Sequence, residues 1–368
     1  MDILICTFTF IFVVLFYFVI LWIKLIPYNQ KPLEIRTFDN SNSPYHPSVI
    51  YFKNGWNGYK YWMAETPFPP QGKPYRDRQE CPSIHVSNDG INWTEIKKNP
   101  IDDLTETDIK DFNYFSDPHL VFVDNNLECW YRITHRKGII DNFKNIQLVR
   151  KRSCDGINWS TREVMVDLAT VNGDSLGNMV VSPAILYQNG KYRMWYVNSE
   201  SRTHRELSYS ESYNGIEWTI QKRCILAGAE NMPWHIDVNF IDNKYYLVSY
   251  NFKNLTLWES DNGITFNYIK KVLEPSVIGS FYSEGLYRAC IIKDKNLKIY
   301  FSANDAFKTY IGLLQEYNER FTFVAEGRHQ NIISLQLYVY AKKWVSIKFI
   351  SRKFFNIFTA GYNKFARK

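Results

Sequence analysis

An internal repeat constrains this chain more than any other feature. The pattern Ser-x-[Asp/Asn]-Gly-x-x-aromatic occurs four times, as SNDGINW at Ser87–Trp93, SCDGINW at Ser153–Trp159, SYNGIEW at Ser212–Trp218 and SDNGITF at Ser260–Phe266. Asp-Gly and Asn-Gly make tight hairpin turns because both residues tolerate positive φ. The Ser and the aromatic residue are placed to fix the turn, so each copy marks a hairpin between two outer strands of one unit. A second motif, a short apolar strand followed by a turn and an aromatic-rich strand, precedes each copy. Its first strands are HPSVIYF (His46–Phe52), DPHLVFV (Asp117–Val123), SPAILYQ (Ser182–Gln188), HIDVNFI (His235–Ile241) and YRACIIK (Tyr287–Lys293). The last three align without gaps at offsets of 53 and 52 residues.

Five units of about four strands each, at 45–70 residues per unit, describe an all-β, five-bladed β-propeller. A β-sandwich with coincidental turns is the competing arrangement. The composition agrees with a strand-rich fold: 17% of the chain is aromatic, and Tyr, Phe and Trp favour strands. The blades are expected at about 44–105, 112–172, 178–228, 232–275 and 281–328.

The ends read differently. Residues 3–23 are apolar apart from two Thr, long enough to span a bilayer core of about 30 Å. The Met1-Asp2 start and the bulky aromatics up to Trp22 argue for a retained transmembrane helix over residues 1–25 rather than a cleaved signal peptide. A linker over 26–43 follows. Lys24, Lys31 and Arg36 lie after the segment and no Lys or Arg before it, which places the body on the cytoplasmic side. Net charge is +7, from 44 Lys+Arg against 37 Asp+Glu. Eight of those basics lie in residues 341–368, which hold no acid, so the remainder has 36 basic against 37 acidic residues. That balance excludes a nucleic-acid-binding body. Within the tail (329–368), Trp344, Ile347, Ser351, Phe354, Phe355 and Phe358 fall near one helical stripe. A basic amphipathic helix on an anionic lipid surface is the expectation; a helix packed on the body is the alternative. The six cysteines form no CxxC pair; Cys6 lies in the apolar segment, and the other five, Cys81, Cys129, Cys154, Cys224 and Cys290, read as buried thiols.

In a propeller the first strand of each blade lines the central channel, and the residue opening it sits at one mouth. Those positions are His46, Asp117, Ser182, His235 and Tyr287, with Asp237, Glu284 and Arg288 nearby. Acids, imidazoles and a guanidinium converging from separate blades, with aromatics for stacking, suit a sugar site. No HExxH, P-loop, GxGxxG or GxSxG pattern is present, so neither a metal nor a cofactor is expected.

Ser116-Asp117-Pro118, the stretch from Ser182 to Tyr196 and the repeated turns resemble the five-bladed propeller glycosidases of families 43, 32, 62 and 130, over residues 44–328. The resemblance implies glycosyl-bond chemistry by two carboxylates, with phosphate in some family 130 members, and a partner that is an oligo- or polysaccharide or an activated sugar. By position, Asp117 matches the family's Asp-Pro acid on the second blade. The first blade carries His46-Pro47 where family 43 has its base, and the third carries Ser182-Pro183 where it has its Glu. Asp237 and Glu284 are the substitutes. The roles expected are Asp117 as base or orienting carboxylate and Asp237 or Glu284 as general acid, with His46, Ser182, His235, Tyr287 and Arg288 binding substrate. Glu80-Cys81-Pro82 resembles the Glu-Cys pair of family 32 but falls in blade one, where that family does not carry it. A glycan-binding protein without catalysis, on the same scaffold, is the second expectation.

Overall fold

The computed structural model describes residues 9–17, 30–69, 80–136, 143–170, 175–199, 204–229, 232–275, 280–305 and 307–325. The chain divides into two compact units, one of residues 28–276 and 281–328, the other of residues 1–27, 277–280 and 329–368.

The larger unit is the propeller. Blade one is built of β1 (Pro44–Trp56), β2 (Tyr59–Pro67), β3 (Ser83–Ser87) and β4 (Thr94–Glu95). Blade two has β5 (Tyr114–Val123), β6 (Asn126–Arg136), β7 (Phe143–Ser153) and β8 (Glu163–Asp167). Blade three has β9 (Val181–Gln188), β10 (Lys191–Ser199), β11 (Arg205–Ser212) and β12 (Lys222–Arg223). A short β13 (Ile225–Ala227) crosses to the edge of blade four, made of β14 (His235–Ile241), β15 (Lys244–Tyr250), β16 (Leu255–Ser260) and β17 (Thr265–Leu273), and pairs in parallel with β17. Blade five has β18 (Gly285–Lys293), β19 (Leu297–Asn304), β20 (Thr309–Tyr317) and β21 (Arg320–Phe323). The inner strands β1, β5, β9, β14 and β18 touch in sequence, and β18 returns to β1, which closes the ring.

Each Ser-x-Asp-Gly turn lies at the third-to-fourth-strand hairpin and latches one blade to the one before it. In the second copy, the Ser153 hydroxyl accepts from the Gly156 N–H at 2.7 Å, and the Trp159 indole donates to the Gly156 carbonyl at 3.2 Å. Gly156 has φ +75°, and an added Cβ would come within 2.1 Å of the Trp62 ring of blade one. Trp130 lies against Gly215 in the same way, Trp195 against Gly263, and Tyr300 of blade five against Gly90 of blade one. All four aromatics share one position on their blade's second strand, the last residue of YKYW, LECW, YRMW and LKIY. In blade four that position is Val248, and the neighbouring blade five has no such turn.

The inner strands are stitched by side chains to the backbone of the next blade. Ser48 accepts from the Leu120 N–H, His119 bonds the Ile185 carbonyl, and Ser182 bonds both the N–H and the carbonyl of Ile236. Asp237 accepts from the Ile291 N–H, and Ser302 accepts from the His46 N–H, which completes the circle.

Between blades one and two runs α2 (Glu106–Asp111), started by a reciprocal cap between Thr105 and Asp108. In the smaller unit, residues 9–17 form a single helix, α1, with its apolar side chains outward. Among the described residues no helix is long and apolar enough to cross a membrane. Most of residues 3–23 and all of the basic tail lie outside the described residues. Of the cysteines, Cys81, Cys129, Cys224 and Cys290 are buried thiols as expected. Cys154 is exposed, because it sits at the second position of its turn, where the side chain points away from the latch.

Candidate active site at the channel mouth

The start of the inner strands is made irregular by the sequence. A one-residue bulge falls between Tyr45 and Ser48, between Ser116 and His119, between Val181 and Ala184, and between Leu286 and Ala289. His46, Asp117 and Ser182 take positive φ at these bulges, at 52°, 55° and 52°. Such a backbone costs of order 1–3 kcal/mol per residue and persists where surrounding contacts fix it. The following Pro47, Pro118 and Pro183 carry no N–H, so no ladder donor is lost at the bulge. The effect is to bring the His46 and Asp117 side chains and the Ser182 N–H together at the mouth.

There they meet a buried cluster. Asp117, with no solvent exposure, lies 3.1 Å from Arg132 Nη2, 3.7 Å from His235 Nδ1 and 3.9 Å from Arg288 Nη1, and accepts from the Ser182 N–H at 3.2 Å. Burial alone would raise its pKa. The Arg132 guanidinium, with His235, His46 and Arg288, outweighs that and holds the carboxyl well below the usual range. Burial keeps His235 neutral. Arg288 is fully buried and donates to the Pro183 carbonyl.

Across the mouth, His46 Nδ1 is 2.9 Å from Glu80 Oε2 and 2.9 Å from Thr66 Oγ1. The Thr66 hydroxyl donates to Glu80 at 3.2 Å, so it can only accept from His46. Both partners therefore want a proton on Nδ1, which leaves the lone pair on Nε2. Several buried polar atoms of this cluster make no hydrogen bond among the described residues: His46 Nε2, both His235 nitrogens, Asp117 Oδ1, and Nε and Nη1 of Arg288. Native interiors rarely leave such groups unmet unless a ligand or water meets them. The Tyr287 ring packs 4.1 Å from His235 and 5.0 Å from Tyr45, centroid to centroid, and Trp234 donates to the Tyr287 hydroxyl.

Asp237 lies one pleat further along the channel. Its Oδ1 faces His119 Nδ1 at 3.5 Å. Burial raises its pKa to about 7, against the Ile291 N–H that lowers it, and burial lowers His119 to about 3. A cavity of about 580 Å³ enters from the opposite end of the channel and reaches Ser48, His119 and Asp237; His46, Asp117 and His235 do not line it.

The fold thus brings His46, Asp117, Ser182, His235, Tyr287 and Arg288 to one mouth. Ser182 serves there through its N–H and its seam bonds. Asp237 belongs to the layer beneath, and Glu284 is exposed on the approach to β18. Sequence reasoning missed Glu80, Thr66 and Arg132, which come from second and third strands or the segment before them. Only the Glu-Cys-Pro pattern at Glu80 hinted at any of the three. Among the described residues no group of His, Cys, Asp and Glu is arranged to hold a metal.

No family model matches the chain. An A type blood N-acetyl-α-D-galactosamine deacetylase of Flavonifractor plautii is 24% identical over 298 residues, 66% of this chain, and the chain spans 37% of that relative's length. Among solved structures, an N-acetylgalactosamine deacetylase from F. plautii in complex with blood group B trisaccharide superposes with a TM-score of 0.60 at 18% identity, covering 83% of this chain and 91% of that one. The family 43 enzyme GH43_1 of Xanthomonas citri, complexed with xylose, gives 0.54 at 8% identity over 79% and 92%. A family 130 structure, from a family of mannoside phosphorylases that contains hydrolases of β-1,2 mannosidic linkages, gives 0.51 at 16% identity over 63% and 79%. The fold is that of the five-bladed glycosidase propellers. A deacetylase and glycosidases on one scaffold also show that the fold does not fix the bond attacked.

Proposed function

We propose that the chain is a carbohydrate-active hydrolase whose reacting centre is the mouth around His46, Glu80, Asp117 and His235. The observation that carries this is the set of buried polar atoms, without hydrogen bonds among the described residues, that converge beside the Tyr45 and Tyr287 rings. A sugar offers hydroxyls for those atoms and an apolar face for the rings. His46, held by Glu80 with its Nε2 lone pair turned inward, is the base that activates water. Arg132 and Arg288 keep Asp117 ionised, and His235 bonds substrate oxygens. This constellation suits removal of an acyl group from a sugar, in keeping with the activity of the F. plautii relative.

Glycosidic cleavage is the second reading, favoured by the opposite shifts of two carboxyls, Asp117 held ionised and Asp237 raised to about 7, the split an acid–base pair needs. The two separate by assay. Acetylated amino sugars and aryl glycosides are supplied to the wild type, His46→Gln, Glu80→Gln and Asp237→Asn. For the first reading, acetate is released and both His46→Gln and Glu80→Gln reduce turnover roughly 10²–10⁴-fold, as loss of a general base does, while the protein stays folded. Release of phenol, lost in Asp237→Asn, moves the assignment to the second. Binding without product in either assay leaves a glycan-binding protein. Residues 3–23 and the basic tail are proposed to hold this body at the cytoplasmic face of a membrane, in surface-polysaccharide metabolism. A reporter fused to the C-terminus and active only outside the cytoplasm would overturn that placement.

A further inference from the structure

Beside the mouth stands a cation with no acceptor among the described residues. Arg205 opens β11, and its guanidinium lies 4.8 Å from the centroid of Phe252 and 5.9 Å from that of Trp234. The two rings are themselves stacked, 5.7 Å apart at 28°. Trp234 continues directly into the site, since its ring packs 5.9 Å from His235 and its indole N–H donates to Tyr287. Nε and Nη1 of Arg205 are buried without a hydrogen-bond partner among the described residues. Two other arginines behave differently: buried Arg150 on β7 and Arg162 just before β8 each close on a carboxylate, Glu163 and Asp102. Stacking on aromatics contributes about 0.5–2 kcal/mol and fixes the guanidinium plane, but it satisfies none of its N–H donors. Among the described residues, a pinned, half-buried guanidinium at the edge of the mouth therefore lacks one thing, an anion.

We infer that Arg205 binds an acidic substituent on the saccharide, a carboxylate of a uronic acid or a phosphate, and so makes the substrate of this site an anionic sugar chain. This rests on the reading of the mouth as a saccharide site and adds the substrate class to it. Fully buried Arg288 and buried Arg132 face Asp117 and are committed there, whereas Arg205 makes no ion pair with a carboxylate among the described residues. A charged acceptor on a fixed guanidinium gives the stronger kind of hydrogen bond, and the aromatic pair shields it from water.

The test is calorimetric titration of the full chain with matched glycan pairs. Glucuronate- and galacturonate-containing oligosaccharides are compared with the same glycans carboxyl-reduced, and N-acetylglucosamine 1-phosphate with N-acetylglucosamine. The acidic member is expected to bind about tenfold or more tightly, the step that one charge-assisted bond supplies. Preference for the uronates alone, or for the phosphate alone, identifies which acid is read. Arg205→Gln is expected to bring each pair within about twofold. If that variant does not fold, Arg205→Lys serves instead, and a reduced but surviving preference is expected. Equal binding of acidic and reduced glycans by the wild type overturns the inference and leaves the saccharide site standing, as does a preference that Arg205→Gln or Arg205→Lys leaves unchanged. Failure of every glycan to bind overturns both.

Discussion

The chain uses aspartate in two places that could hardly differ more. In the hairpin turns, Asp89 and Asp155 find all their partners within a few residues. Asp155 accepts from the N–H groups of Ile157 and Asn158 at 2.8 and 2.7 Å, from the Asn158 amide and from Ser153. In the channel, Asp117 is met by Arg132 of its own blade, the Ser182 N–H of the next, His235 of blade four and Arg288 of blade five. The turn aspartates are needed as acceptors, and two copies of the turn do the same with a neutral amide. Asn214 and Asn262 each accept from two backbone N–H groups at 2.8–2.9 Å. The channel aspartate is needed as a charge, because two buried guanidiniums face it. Local geometry sets the first requirement and the closed ring sets the second.

One substitution, Asp to Asn, made at three sites, breaks or sharpens this contrast. Asp117→Asn has the largest expected effect. It leaves Arg132 and Arg288 buried without an anion, a loss of roughly 3–5 kcal/mol. Because the folded pKa of Asp117 is depressed, its contribution is complete above the unfolded value near 3.8 and is lost as pH falls through the folded one. Denaturant melts of wild type and variant should therefore converge only in strong acid. A gap below 1 kcal/mol at pH 7 would mean that the guanidiniums do not depend on this carboxylate.

Asp237→Asn comes next and has the opposite sign. Burial raises this carboxyl from 3.8 to about 7, so between those values the folded state holds a proton that the unfolded state has released. Wild-type stability then declines from pH 4 to pH 7, by roughly 2–4 kcal/mol for this group alone. Asparagine still accepts from the Ile291 N–H and has no charge to desolvate. The variant should match the wild type near pH 4 and exceed it at pH 8. A variant less stable than wild type at pH 8 would show that Asp237 is ionised and paired in the folded protein.

This contrast also explains what could be read from the sequence. The turns were legible because every requirement of Ser-x-Asp-Gly-x-x-Trp is met inside seven residues, and their spacing then implied blades and a channel. The mouth was legible where inner-strand positions supply it, at His46, Asp117 and His235, since strand order alone places them. Glu80 was not, because its partners His46 and Thr66 belong to strands 14 or more residues away and nothing local marks the contact. Nor could the sequence assign Ser182 and Asp237 to the seams, because their acceptors and donors, Ile236 and Ile291, lie 54 residues on and are backbone groups with no identity to read. Charge patterns reported composition, while site roles followed from ring closure.

Asp155→Asn is the smallest expected effect and the sharpest control. The turn already tolerates Asn at two of its four positions, and the amide oxygen keeps both backbone N–H donors of Ile157 and Asn158. What disappears is the second carboxylate oxygen and its bond to the Asn158 side chain, in a part of the molecule open to water. Such a change lies within about ±0.5 kcal/mol, whereas Asp155→Ala, which removes the acceptor altogether, should cost about 1 kcal/mol as the loss of a cap does. The latch itself is carried by Gly156 under Trp62 and is untouched by either variant. If Asp155→Asn melted as far below wild type as Asp155→Ala, charge rather than acceptor geometry would hold the turn, and the distinction between the two kinds of aspartate would fail where it is most local.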